Sequence, residues 1–134
     1  MRLTIGCMTV LFLSACGYSV TSDEDIDARA RLKAAFSIAS HTKLAVSESY
    51  IGTGRWPNED LRRKLAWSND DLSNPFAISV GAKGVIEIKF GGGYTEHPLK
   101  GTSLTLVPSG AGHRVDWACI NKSVPSEYLP EHCR

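Results

Sequence analysis

The sequence carries almost no excess charge: 15 lysines and arginines stand against 14 aspartates and glutamates. That balance excludes a dominant electrostatic footprint for nucleic acid or an anionic membrane surface and leaves only local patches to consider. Histidine is scarce and scattered. His41, His97, His113 and His132 show none of the close pairing that zinc sites use, so they read as surface histidines and no metal site is assigned. There is no Gly-x-Ser-x-Gly elbow, and Gly91-Gly92-Gly93 lacks the Lys-Ser/Thr ending of a phosphate loop. The glycine triplet reads as a relaxed strand end. No catalytic residue and no cofactor follows from the sequence, and an enzyme is not expected. Long apolar runs are also missing: the one in residues 3–13 is too short to span a bilayer.

That short run has a meaning of its own. Met1-Arg2 followed by apolar residues 3–13 has the form of a secretory signal, to be set aside before any reasoning about the fold. Leu13-Ser14-Ala15-Cys16 looks like the lipobox of bacterial lipoproteins, in which the cysteine is diacylated and the peptide is cut just before it. This reading makes residues 1–15 a lipoprotein signal peptide, Cys16 the site of lipidation and residues 16–27 a polar, acidic spacer. The alternative is a conventional cleavage near Ala15 that leaves Cys16 an unpaired thiol. Cleavage removes Arg2 and no acidic residue, so 14 basic residues would face 14 acidic ones and the mature chain would be neutral. Cys7 falls inside the apolar run and is discarded with it. Of four cysteines, Cys119 and Cys133 then remain, and export makes a disulfide between them the default. It would close a loop of about fifteen residues, on the order of 3 kcal/mol in the chain-entropy view.

The rest of the chain is organised around a helix predicted over residues 22–50. Its small and apolar positions, Ala28, Leu32, Ala35, Ala39, Thr42, Val46 and Ser49, alternate steps of three and four and keep one seam facing one direction. Ser22 is the candidate N-cap, and Asp23, Glu24, Asp25 and Asp27 place negative charge where the helix dipole favours it. Gly52 or Gly54 can supply the left-handed residue at the end, and Pro57 keeps the helix from resuming.

Residues 53–75 read as an irregular connection, with one or two helical turns around residues 61–67 and with Trp56 and Trp67 pinning it to the helix or sheet. Four strands follow. Phe76, Ile78 and Val80 alternate with small residues, Gly81-Ala82-Lys83-Gly84 turns the chain, and Ile86, Ile88 and Phe90 answer on the second strand. Leu104 and Leu106 mark the third, which Pro108 is expected to close. Val115, Trp117 and Cys119 share a face of the fourth. One helix must therefore cover one sheet in an α+β fold, with a disulfide clamping the last strand.

Several of these pieces, in this order, resemble the globular part of type IV pilins. They are the Ala39-Ser40-x-x-Lys43-x-Ala45-Val46 helix segment, Tyr50, Gly54-x-Trp56-Pro57, Gly84-Val85-Ile86, the run from Lys100 to Pro108, Val115-Asp116-Trp117-Ala118-Cys119 and the ending Tyr128-Leu129-Pro130-Glu131-His132-Cys133-Arg134. The resemblance spans residues 28–134 and implies a pilin-like domain: one long N-terminal helix on a four-stranded antiparallel sheet, with the two cysteines bounding a disulfide-closed C-terminal loop. It departs at the amino terminus, where a lipobox and an acidic spacer stand in place of a pilin's long apolar helix segment.

Two functional readings come from this. The first is a pilin-like lipoprotein of the cell envelope, held to the membrane by its lipid anchor and acting in adhesion or in contact with pilin subunits or pilus-assembly proteins. Gly17, rather than aspartate, after the cysteine leans towards the outer membrane. The second is a module that binds DNA or a surface glycan through the terminal loop and the basic connection, where Arg62, Arg63 and Lys64 lie between Trp56 and Trp67. The competing reading of Arg62-Arg63-Lys64 is a solvated turn of helix.

Overall fold

The computed structural model describes residues 22–68, 76–91 and 97–134, so the lipobox and Cys16 lie outside the described residues. Helix α1 spans Asp23–Thr53 and is bounded as its end signals require. The Asp25 N–H donates to Ser22 Oγ at 3.2 Å, satisfying one of the amides that a helix start leaves without an intrahelical partner. At the other end Gly54 takes φ +70°, and its N–H reaches the Tyr50 carbonyl at 2.7 Å. Ala28, Leu32, Ala35, Ala39, Thr42 and Val46 are buried, the first six members of the predicted seam. The Thr42 hydroxyl donates to the Ile38 carbonyl at 3.3 Å, so its burial leaves no orphan donor. Ser49, the seventh, is only half-buried. In that last stretch Tyr50 makes the contact instead: its ring stacks on Trp56 with centroids 4.2 Å apart, and a Cβ added to Gly110 would lie 2.3 Å from the same ring. Only glycine permits that approach.

Arg31 is buried as well, which the periodicity did not suggest; its guanidinium pairs with Asp27 one turn earlier at 2.6 Å. Helix α2, Glu59–Leu65, starts on an Asn58 cap whose Oδ1 accepts from the Leu61 N–H at 2.9 Å. This is the short helical piece expected in the connection.

The sheet is antiparallel and runs in chain order: β1 Trp67–Ser68, β2 Phe76–Val80, β3 Ile86–Phe90, β4 Ser103–Ala111 and β5 Arg114–Asn121. The expected β2–β3 hairpin forms, with Ile78 opposite Ile88 and Val80 opposite Ile86 on its apolar face. Among the described residues five strands replace the expected four. The extra one, β1, is two residues long and pairs Trp67 with Ile78 and Ser68 with Ala77. A two-residue strand has no alternation to detect.

Strand β4 also runs further than expected. Pro108 does not close it but sits opposite Trp117, and pairing continues to Ala111 opposite Arg114. The physical reason lies in the register. Strand β3 reaches only as far as Ile86 opposite Leu106, so beyond that pair β4 has no second neighbour and a proline costs no ladder bond on that side. The turn is therefore the two residues Gly112 and His113, with Gly112 at φ +61°, as a II′ hairpin asks of its first loop residue.

The core is one cluster in which the α1 seam meets Ile78, Ile86, Ile88, Leu104 and Leu106, all nearly or fully buried. Closer to the chain end, Val124, Leu129 and Cys133 join it from the terminal loop. The Asn121 side chain braces that loop, accepting from the Val124 N–H at 2.9 Å and donating to its carbonyl at 2.8 Å. The Cys119–Cys133 disulfide, with Cα atoms 5.0 Å apart, closes it. His97 is a correction: it is buried rather than on the surface, and its Nδ1 accepts the Leu99 N–H at 3.2 Å in the turn that leads to β4. An imidazole that caps a turn is held by local backbone, which a search for metal-ligand spacing does not test.

Candidate functional site

One residue beyond the buried seam, Arg29, Lys33, Phe36, Ser40 and Lys43 repeat the same steps of four and three. They form a second stripe on α1, rotated about 100° from the first. This stripe is one wall of a groove of about 540 Å³. The opposite wall comes from Trp117, Ala118 and Cys119 on β5 and from Tyr128, Leu129 and Pro130 in the disulfide loop. Leu32, Ala39 and Leu106, all buried, close its bottom. The base is apolar and the helical rim is basic.

Contacts across the groove fix its walls. Arg29 places its guanidinium carbon 5.4 Å from the Tyr128 ring centroid, and Lys43 places Nζ 5.4 Å from that of Trp117. The Trp117 Nε1–H donates to Ser47 Oγ at 3.2 Å, tying β5 to α1. His132 meets Phe36 edge to face with centroids 6.4 Å apart. At the start of the helix the Tyr128 hydroxyl donates to the Asp25 carboxylate. That hydrogen bond, then the one from Ser22, holds the Asp25 carboxyl below its ordinary value, and the same bond pushes the Tyr128 phenol up to about 12. Among the described residues, Arg29, Lys33 and Lys43 have no carboxylate within ion-pair distance.

The basic run expected to touch a ligand lies elsewhere. Arg62, Arg63 and Lys64 occupy the end of α2; Arg63 is ion-paired to Asp60, Arg62 is half-buried and Lys64 is exposed. The two tryptophans beside the run face inward: Trp56 stacks on Tyr50, and Trp67 lies 4.7 Å from Phe76. Pinning the connection is therefore their part. Cys119 and Cys133 come together as a disulfide. Among the described residues no cluster of histidine, cysteine, aspartate or glutamate could hold a metal ion. Of the groove, the sequence reading named only the terminal loop; the α1 and β5 walls escaped it, although one signal was present: the second stripe on α1 keeps the helical period and alternates cations with Phe36. Its opposite wall lies some seventy to a hundred positions away in the chain, about as far as Trp117 from Ser47, and no periodicity links the two.

A family model for pilin, a bacterial filament protein, matches residues 28–134. The chain is 29% identical over 113 residues to the fimbrial protein EcpC of Eikenella corrodens, covering 83% of this chain and 73% of that protein. It is 25% identical to the type IV major pilin protein PilE1 of Neisseria gonorrhoeae, with 83% of this chain and 78% of that one aligned. A fimbrial protein of Neisseria meningitidis is 30% identical over 97 residues, which are 72% of this chain and 56% of the relative. The matched span takes in most of α1, the sheet from β1 to β5 and the disulfide loop that walls the groove, and so the chain belongs to the pilin family.

Proposed function

We propose that this protein is a pilin-fold lipoprotein of the bacterial envelope, anchored through acyl chains on Cys16, that serves adhesion or the type IV pilus by contact rather than by forming the shaft. Family membership supports the coarser part, a structural role of pilus type at the cell surface. One observation carries the finer part: Leu13-Ser14-Ala15-Cys16 stands only a short acidic spacer ahead of the point where the family match begins.

Physical chemistry favours anchoring over burial in a filament axis. Each acyl methylene placed in a bilayer contributes about 0.8 kcal/mol, and two or three chains give stable attachment. Helix α1 carries Arg29, Lys33 and Lys43, and unpaired charges of that kind cost several kcal/mol each when buried. No helix among the described residues is long and apolar enough to cross a membrane.

The experiment separates two cell fractions. Filaments sheared from the surface and washed membranes are probed for this chain, with and without Cys16→Ser. The expected result is recovery with membranes, lost or arrested as uncleaved precursor in Cys16→Ser. Abundant recovery in sheared filaments, unchanged by Cys16→Ser, would show a shaft subunit instead.

A further inference from the structure

We propose that the groove between α1 and the disulfide loop docks an extended peptide segment of a partner protein, apolar at its centre and bearing carboxylates at its flanks. The inference rests on the groove and not on the lipid anchor, and either can fail without the other.

Volume and lining come first. At about 540 Å³ the groove is in the range of pockets that enclose a ligand, and its base of Leu32, Ala39 and Leu106 asks for apolar side chains. Charge complementarity sets the flanks. Arg29 and Lys33 stand one turn apart near one end, and Lys43 stands at the other. Between Lys33 and Lys43 the helix advances about 15 Å, and there it shows the groove only Phe36, Ala39 and Ser40.

That uncharged interval decides between ligand classes. A nucleic-acid strand carries a charge at every nucleotide and needs a continuous basic track. An extended peptide advances about 3.3 Å per residue, so roughly five residues bridge the interval and leave acidic side chains to meet the cations at both ends.

The wall opposite α1 adds a second, independent reason. Strand β5 is the outermost strand, and no other strand among the described residues pairs with its free edge. The hairpin closes on the Ala111–Arg114 pair, so alternate pairs up to Val107 with Ala118 are hydrogen-bonded, and the N–H and C=O groups of Trp117 and Cys119 point to the outer edge beside the groove. A peptide can add to such an edge by backbone hydrogen bonds, which a sugar or a phosphodiester cannot imitate. The same groove that offers cations thus offers a strand partner.

The test uses the full chain, purified in mild detergent, on an array of peptides of about eight residues. All share an apolar centre, and the flanks are acidic, neutral or basic. A single-stranded oligonucleotide and a sulfated oligosaccharide serve as the other polyanions. The expected result is retention by acid-flanked peptides over basic-flanked ones. Lys33→Glu with Lys43→Glu should weaken retention about tenfold or more, while reversal of Arg63 and Lys64 on α2 leaves it unchanged. Thermal unfolding of each variant checks the fold, and Lys33→Gln, at an exposed position, repeats the measurement with charge only removed. Three results would each overturn the proposal: no preference for acidic flanks, an equal loss from the α2 reversals, or tighter binding of the oligonucleotide or the sulfated sugar than of any peptide.

Discussion

The two edges of the sheet are finished in opposite ways. At the β1 edge the chain covers itself with apolar contacts: Trp67 leans on Phe76, Phe76 on Phe90, and the short α2 lies alongside β2 with Arg63 and Lys64 turned to solvent. At the β5 edge a covalent bond between Cys119 and Cys133 holds the terminal loop, and the gap left between that loop and α1 is the basic groove. Aromatic packing fills space as it stabilises. A disulfide stabilises mainly by restricting the unfolded chain, and so it can hold a loop in place without filling the volume behind it. A recess can therefore persist beside the β5 edge.

Four substitutions, in three steps, would break or sharpen that contrast. The largest effect is expected at a residue that the core and the groove share. Ala39 is fully buried at the centre of the seam and also lies at the base of the groove. Ala39→Glu places an unpaired carboxylate there, a cost of several kcal/mol that should abolish soluble folded protein. Urea unfolding of any soluble fraction measures it, and near-normal stability would mean that the helix docks through another face.

The next change separates the edges. Cys133→Ser should cost about 3 kcal/mol and raise amide exchange in residues 120–132, while β2 and β3 stay protected. Trp67→Ala should do the reverse, freeing β1 and α2 and leaving the terminal loop unchanged. If either substitution loosens both edges to the same degree, the edges are not independent and the contrast fails.

The smallest effect concerns the link between the loop and the helix start. Asp25 is held below the ordinary carboxyl value of 3.8 by the Tyr128 hydroxyl, then by Ser22. A depressed carboxyl contributes stability that is present above pH 3.8 and lost as pH falls towards its folded value. Tyr128 is raised from 10.0 to about 12, so its contribution is complete below pH 10 and lost as pH climbs to about 12. Tyr128→Phe should flatten the alkaline limb and part of the acid limb of the thermal midpoint against pH. It should shift the neutral midpoint only slightly, because both groups are half-exposed and solvent screens the pair. Identical profiles for the two proteins would show that the bond carries no linkage.

What could be read without coordinates was whatever a single local period encodes. The seam of α1 was legible because Ala28, Leu32, Ala35, Ala39, Thr42 and Val46 share one helical face, and its ends because Ser22 and Gly54 are cap residues. The β2–β3 hairpin was legible because alternation in both strands meets a glycine turn. Likewise the disulfide was legible from a count of cysteines once export was expected.

Tertiary structure alone decided the rest. Strand β1 exists because Ile78 and Ala77 present an edge to pair with, not because two residues favour a strand. Pro108 stays within β4 because β3 ends short of it, a fact of register that no propensity contains. His97 is buried where its Nδ1 accepts the Leu99 N–H, a placement that no spacing of histidines encodes. The groove depends on a helical stripe and a strand edge brought together from positions about seventy residues apart or more, as Ser47 and Trp117 are. Helix and strand periods are set by neighbours within a few residues, whereas a recess is set by which distant surfaces fail to meet, and that is determined only when the chain has packed.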